Sequence, residues 1–240
     1  MTLLLKNVSY TFTKEKNPVI SELNFTVQQG EFVSLIGKSG TGKSTILKLI
    51  TGLLKPNEGE ITIDKQPISL GDVGYMPQKD LLLPWRTIID NIMIGAEIQK
   101  DLKLSKEDAR SWLKKVGLED YEQAFPHQLS GGMRQRVAFL RAMLTGKEVL
   151  LLDEPFGALD SITKKEMQAW LLSIWQELDK TIVFITHDLE EACYLSDRII
   201  LLKDNKTIEG ITVPFPRPRH QEIVHSQTFV ELRKELEKKI

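Results

Sequence analysis

A glycine-rich loop set between a strand pattern and a helix pattern constrains this chain more than any other feature. Phe32 to Ile36 reads as a strand covered on both faces, and Ile46, Leu47 and Ile50 then fall at helical spacing. Between them stands Gly37-x4-Gly42-Lys43-Ser44, the spacing of a phosphate-binding loop in its required strand–loop–helix context. Its glycines let backbone N–H groups curl around an anion, and the helix N-terminus adds a favourable dipole. Lys43 sets a cation against phosphate oxygens, and Ser44 offers a hydroxyl to Mg²⁺. A plain glycine turn before a helix would not need Lys and Ser in that register.

The rest of the chain repeats the alternation. Val149 to Leu152, Ile182 to Ile185 and Ile199 to Leu202 read as further buried strands. Met133, Val137, Leu140 and Leu144 make one helical stripe, and Met167, Trp170, Leu171, Ile174 and Leu178 make another. Thr163 and Glu166 have capping-box spacing at the start of the second. Such alternation predicts an α/β fold: a phosphate-loop core with a mostly parallel sheet and helices on both faces. The opening stretch to about Thr62 is richer in β-formers and turns, which predicts an N-terminal antiparallel β layer. From about Ile88 to Leu129 the pattern is purely helical, as at Ala109, Trp112, Leu113 and Val116 before Gly117, and predicts an inserted helical subdomain. The expected division of a single domain over 1–240 is a core of about 1–87 and 139–213, a helical insert of about 88–138, and a tail over 214–240. That tail opens on Pro214-Phe215-Pro216-Arg217-Pro218-Arg219, which suits neither helix nor central strand. A final helix aligns Phe229, Leu232, Leu236 and Ile240, with Thr228 and Glu231 as its expected cap.

Composition narrows the partners. Lys and Arg number 32 against 33 Asp and Glu, for a net charge of −1, so no overall field favours nucleic acid. A short basic patch is expected at Arg217 and Arg219. The lone Cys193 cannot form an internal disulfide and sits in a helical stretch, which suits a buried, inert thiol in a reducing compartment. The N-terminus has no secretory pattern, and no window approaches the roughly 20 apolar residues of a membrane span. A soluble chain is expected.

Asp153-Glu154 directly follows the apolar run Val149 to Leu152. Neighbouring strand residues face opposite ways, so one carboxylate can hold Mg²⁺ while the next faces a water. Asp153 is assigned to the metal and Glu154 to general-base catalysis. An exposed acidic pair is the plain alternative, and its position beside a phosphate loop disfavours it.

Leu129 to Arg136, LSGGMRQR, resembles the signature of ATP-binding cassette (ABC) proteins, and the chain is similar to that family over nearly its full length. The resemblance implies that ATP is bound and hydrolysed by a head-to-tail homodimer. In it Ser130, Gly131 and Gly132 of one copy close over the γ-phosphate held by the other. The loop residues Gly37, Lys38, Ser39, Gly40, Thr41, Gly42, Lys43, Ser44 and Thr45 would cradle the phosphates, with Lys38 at a position free to vary. Gln78 would reach Mg²⁺ or the water. His187, at a strand end, would bond the γ-phosphate and orient the water toward Glu154. Asp160, in Gly157-Ala158-Leu159-Asp160, would meet the second copy. Phe12 is the expected aromatic on adenine, with Tyr10 its rival.

Gln78 to Thr87 occupies the place where importers receive a short permease helix, and Leu83-Pro84-Trp85-Arg86 followed by Asn91 resembles the nitrate, sulfonate and taurine importer group. Importers of thiamin-pyrimidine precursors share the feature. The implied partners are integral-membrane permease subunits and an extracytoplasmic solute-binding protein. The chain would then sit in the cytoplasm, peripheral on the inner face of the cell membrane, touching the membrane only through the permease. The alternative is a soluble cassette ATPase in nucleic-acid or protein maintenance. Near-neutral charge and the apolar Leu81–Trp85 stretch, expected to form an exposed patch, count against it.

Overall fold

The computed structural model describes the chain except residues 1, 14, 100, 158, 179 and 204–206 and the side chains of Gln176 and Leu178. Ala158 of the Gly157–Asp160 loop and the side chain of Leu178 therefore lie outside the described residues.

Two sheets are stacked around one helix. The first is antiparallel, of order β2-β1-β4-β5, from β1 (Leu3–Tyr10), β2 (Ile20–Val27), β4 (Glu58–Ile63) and β5 (Gln66–Pro67). The second has order β10-β9-β3-β8-β7-β6. It comprises β3 (Phe32–Gly37), β6 (Gly74–Met76), β7 (Val149–Asp153), β8 (Thr181–Ile185), β9 (Arg198–Leu202) and β10 (Ile208–Thr212). Its pairings are parallel apart from the β9–β10 edge. The α/β class read from the sequence is the observed one, and β3, read there as a strand covered on both faces, runs through the middle of the parallel sheet. The helices are α1 (Lys43–Ile50), α2 (Ile88–Ile98), α3 (Lys106–Lys115), α4 (Gly131–Met143), α5 (Ser161–Leu178), α6 (Leu189–Leu195) and α7 (Gln227–Lys239).

The pleat explains why the central strands are apolar throughout. Along β3, Phe32 and Ile36 enter one core while Val33 and Leu35 enter the other. Along β7, Leu150 and Leu152 part from Val149 and Leu151 in the same way. One core lies under α2 to α7, and the other holds α1 between the two sheets. Ser34, fully buried in mid-strand, meets its polar need at the hydroxyl of Ser196.

Three expectations need correction. Helix α5 is capped by Asp160, which accepts from the N–H groups of Ile162 and Thr163, so Thr163 is already inside the helix. Helix α7 is capped by Ser226, which accepts from Phe229 N–H, so Thr228 is likewise helical. In both places an earlier acceptor captures the first open N–H groups. Arg217 and Arg219 form no surface patch. Arg219 is buried and donates to the carbonyls of Phe215, Cys193, Tyr194 and Ser196. Arg217 donates to Leu195 O and Asp197 and lies 4.3 Å from the Trp175 ring centroid. The pair satisfies the open carbonyls at the end of α6 and fastens the tail there. Cys193 is fully buried, and burial pushes its thiol up to about 12. No helix among the described residues is long and apolar enough to cross a membrane.

Candidate functional site

Strand order assembles the site. Four adjacent strands, β3-β8-β7-β6, run parallel, so their carboxyl ends share one edge. The loop from Gly37 to Gly42 leaves the end of β3, His187 follows β8, Asp153 ends β7 with Glu154 just past it, and Gln78 follows β6. Ligands of open parallel sheets bind at that edge.

The loop Gly37 to Thr45 turns into α1 through Gly42, whose φ is +101°. A Cβ there would lie 2.5 Å from Ile20 Cδ1, so both conformation and space require glycine. Lys38, Ser39, Gly40 and Ser44 are exposed, and Thr41 is half-buried. Lys43 and Thr45 are buried. The Lys43 ammonium donates to the carbonyls of Gly37 (2.6 Å) and Lys38 (2.8 Å), bracing the loop from inside. Burial lowers its pKa, partly offset by Glu154 and Asp153.

Glu154, Gln78 and His187 converge. Gln78 Nε2 donates to Glu154 Oε2 at 2.9 Å, and His187 Nδ1 lies 3.5 Å from the same oxygen. The pleat does not separate Asp153 from Glu154 as the sequence suggested. Glu154 lies just past β7 in left-handed backbone, φ +47°, with its N–H bonded to Ile185 O. Its carboxylate is aimed by that turn, at a strain cost of order 1–3 kcal/mol. Asp153 stays in the strand, buried. Burial and Glu154 raise its pKa above the usual carboxylate range against Lys43, Lys48 and a bond from Tyr75. Burial and Asp153 in turn push the Tyr75 phenol up to about 12.

Some organising roles escaped the sequence reading. The segment after Gln78 is held by Arg134, whose Nε is 3.0 Å from Asp80 Oδ2, and by Arg141, which donates to the carbonyls of Asp80 and Leu81. Asn91, fully buried, accepts from Leu83 N–H and donates to the carbonyls of Leu83, Arg86 and Thr87. Arg134 and Arg141 both belong to α4, so the helix opened by Ser130 is wired to the Gln78 segment. Arg134 and Arg141, seven residues apart and so on one face of the helix, were the available signal.

The other expected residues gather elsewhere. Ser130 caps α4 by accepting from Met133 N–H. With Gly131, Gly132, Leu159 and Asp160 it lines a second hollow. A Cβ on Gly132 would lie 3.2 Å from Thr163 Cγ2 and 3.4 Å from Leu159 Cδ2, so tight packing is one reason for glycine there. A Cβ on Gly131 would meet only Arg134 Nη2, at 4.0 Å, so packing does not demand glycine there. Tyr10 packs on the core between the sheets, while Phe12 meets Tyr10 edge-on at 5.0 Å and lies outside both cores. Nearby, Pro18, Val19, Ser39, Gly40 and Thr41 line a further hollow against the phosphate loop.

A phosphate loop, a carboxylate beyond β7 and a histidine beyond β8 on one sheet edge define a nucleoside-triphosphate hydrolase. Comparison with known proteins narrows the class. The family model described as ABC transporter matches residues 20–157. A formylaminopyrimidine import ATP-binding protein (ThiZ) of Halalkalibacterium halodurans is 45% identical over 240 residues, covering 99% of this chain and 94% of that protein. An aliphatic sulfonates import ATP-binding protein (SsuB) of Bacillus cereus is 41% identical, covering 98% and 94%. A dimeric ATP-binding cassette solved in a post-hydrolysis state with ADP and Pi superposes with a TM-score of 0.79 at 33% identity, over 89% of this chain and 100% of that one. The chain belongs to the ABC transporter family, and as such it is an ATPase.

Proposed function

We propose that two copies of this chain bind two ATP molecules head to tail and hydrolyse them to drive a membrane importer of a small solute, nitrate-, sulfonate- or taurine-like or thiamin-precursor-like. The observation that carries this is the division of the site. Gln78, Glu154 and His187 meet beside the phosphate loop, while Ser130, Gly131 and Asp160 line a separate hollow. A second copy would bring its Ser130–Gly132 turn, with its open N–H groups, to the γ-phosphate. On this reading residues 88–138 form the helical arm that carries the turn to its partner.

Lys43 and the loop N–H groups hold the β- and γ-phosphates, and Phe12 stacks on adenine. Ser44, Asp153 and Gln78 offer hydroxyl, carboxylate and amide oxygens, a hard donor set that fits Mg²⁺. Gln78 already turns its NH₂ to Glu154, which leaves its amide oxygen for the ion. When bound, Mg²⁺ supplies charge neutralisation across the phosphates. Glu154 takes a proton from water as the water oxygen attacks the γ-phosphorus. The bond to the β–γ bridging oxygen breaks, leaving ADP and inorganic phosphate. His187, with its ring largely exposed, holds a γ-phosphate oxygen. Turnover per chain is expected to rise with protein concentration and then level off as dimers saturate. A specific activity constant down to the greatest dilution would overturn the shared site.

The permease is proposed to dock on the segment after Gln78. Leu81 and Trp85 are 60% and 71% exposed, which is unusual for side chains so large. Arg141 ties that segment to a hollow lined by Leu70, Ile94, Ile98 and Gln99. Leu82, expected in the same exposed patch, is instead buried in the core. Leu81→Asp with Trp85→Asp is therefore expected to abolish transport in reconstituted vesicles while basal ATPase stays near wild type. Equal loss of both activities would assign the patch to folding. The chain would be cytoplasmic and held at the inner membrane face by the permease, with an extracytoplasmic solute-binding protein delivering the cargo.

A further inference from the structure

We propose that Lys164 is a positioning residue for His187, tying the histidine's loop to the turn that carries Asp160. This rests on the role given to His187 above. Asp160 opens α5, and the Lys164 N–H donates to Asp160 O at 2.9 Å, one helical turn further on. The Lys164 ammonium reaches out of α5 to the neighbouring loop. It lies 2.6 Å from Asp188 Oδ2 and 2.6 Å from Glu191 Oε1.

Those two carboxylates hold both neighbours of His187. Glu191, 4% exposed, accepts with its other oxygen from the Thr186 hydroxyl. Asp188 N–H donates to the same hydroxyl oxygen at 3.0 Å. Asp188 Oδ1 accepts from the N–H groups of Glu190 and Glu191 and so caps α6. Thr186 and Asp188 are thus fixed from below by one cation, while the His187 ring stays exposed and 3.5 Å from Glu154. Burial alone would lower the Lys164 pKa, but Asp188 and Glu191 hold it above its usual value. Partial burial alone would raise the Asp188 pKa, yet Lys164 keeps it below the usual range.

Without the ammonium, the buried Glu191 carboxylate and the half-buried Asp188 carboxylate would lose the cation they share, and the loop would have to shift to relieve them. The phosphate loop lies on another strand and would keep its shape. A displacement of the Asp160 turn reaches His187 through the same link. The two ends of that path are a residue proposed to meet the second copy and the residue proposed to grip the γ-phosphate.

The test compares Lys164→Met, Lys164→Arg, His187→Ala and the double variant Lys164→Met/His187→Ala in steady-state ATPase assays. Lys164→Met is expected to lower kcat about ten- to a hundredfold, the scale of a misplaced catalytic group, with KM for ATP unchanged. Lys164→Arg is expected to restore most of the loss. In the His187→Ala background, Lys164→Met is expected to cost nothing further, which a merely structural role would not produce. Should Lys164→Met fail to fold, Asp188→Asn preserves the helix cap and is expected to show the same kcat loss. Wild-type kcat in Lys164→Met, a parallel rise in KM, or losses that multiply in the double variant would overturn the inference. Wild-type turnover in His187→Ala would overturn the reading of His187 and this inference with it. Loss in His187→Ala beside wild-type Lys164→Met would overturn this inference alone.

Discussion

Glu154→Gln is expected to cut ATP turnover by roughly 10²-fold or more, the usual contribution of a general base, while ATP binds as tightly as before. The substitution removes one negative charge and nothing else of consequence. An amide oxygen can still accept from Gln78 Nε2, now 2.9 Å away, and Glu154 N–H keeps its bond to Ile185 O. The charge that disappears is one of those that push the Asp153 carboxyl upward. Its loss leaves the phosphate loop no less hospitable to a triphosphate. An enzyme that binds but cannot cleave should accumulate in its closed form. Gel filtration with ATP and Mg²⁺ is therefore expected to show a particle of twice the chain's mass for Glu154→Gln, and a smaller share of it for wild type. A variant that turns over at the wild-type rate would remove Glu154 from the chemistry. A variant that stays monomeric at saturating ATP would remove the second copy from the site.

Parts of this arrangement were legible because they obey periodic rules. Continuous apolar runs marked β3, β7, β8 and β9, since each is buried on both faces and its pleat feeds two cores. The phosphate loop was legible because a turn of that shape admits few residues, as the +101° φ of Gly42 illustrates. What stayed hidden depends on neighbours distant in sequence. Nothing local marks Glu154 as a left-handed residue, because the turn is imposed by its bond across to β8. Arg217 and Arg219 look like a solvated charge cluster until α6 supplies carbonyls for them. Leu82 and Leu81 are neighbours of one type, and only the path of the chain buries the first and exposes the second. The caps of α5 and α7 were misplaced for a simpler reason: several acceptors stood near each start, and the earlier one prevailed.

Lys43→Met is expected to weaken ATP binding by about 1.5–3 kcal/mol, the worth of a hydrogen bond to a charged group, or roughly ten- to a hundredfold in Kd. The alkyl stem of methionine fills the buried space that the lysine stem occupies, so the fold should persist. Two contributions add in the same direction. The ammonium contact with the β- and γ-oxygens is lost, and so are the braces to the Gly37 and Lys38 carbonyls that shape the cradle. In the free protein the lost braces are offset, since burial already lowers the Lys43 pKa and removing the ammonium removes that desolvation cost. The offset acts on the fold and gives nothing back to binding, so it should show as an unchanged or slightly raised Tm without ATP. Titration with a fluorescent ATP analogue, with thermal unfolding as its partner, separates the two. Undiminished affinity beside an intact fold would mean that the backbone N–H groups alone hold the triphosphate and that Lys43 serves only to shape the loop.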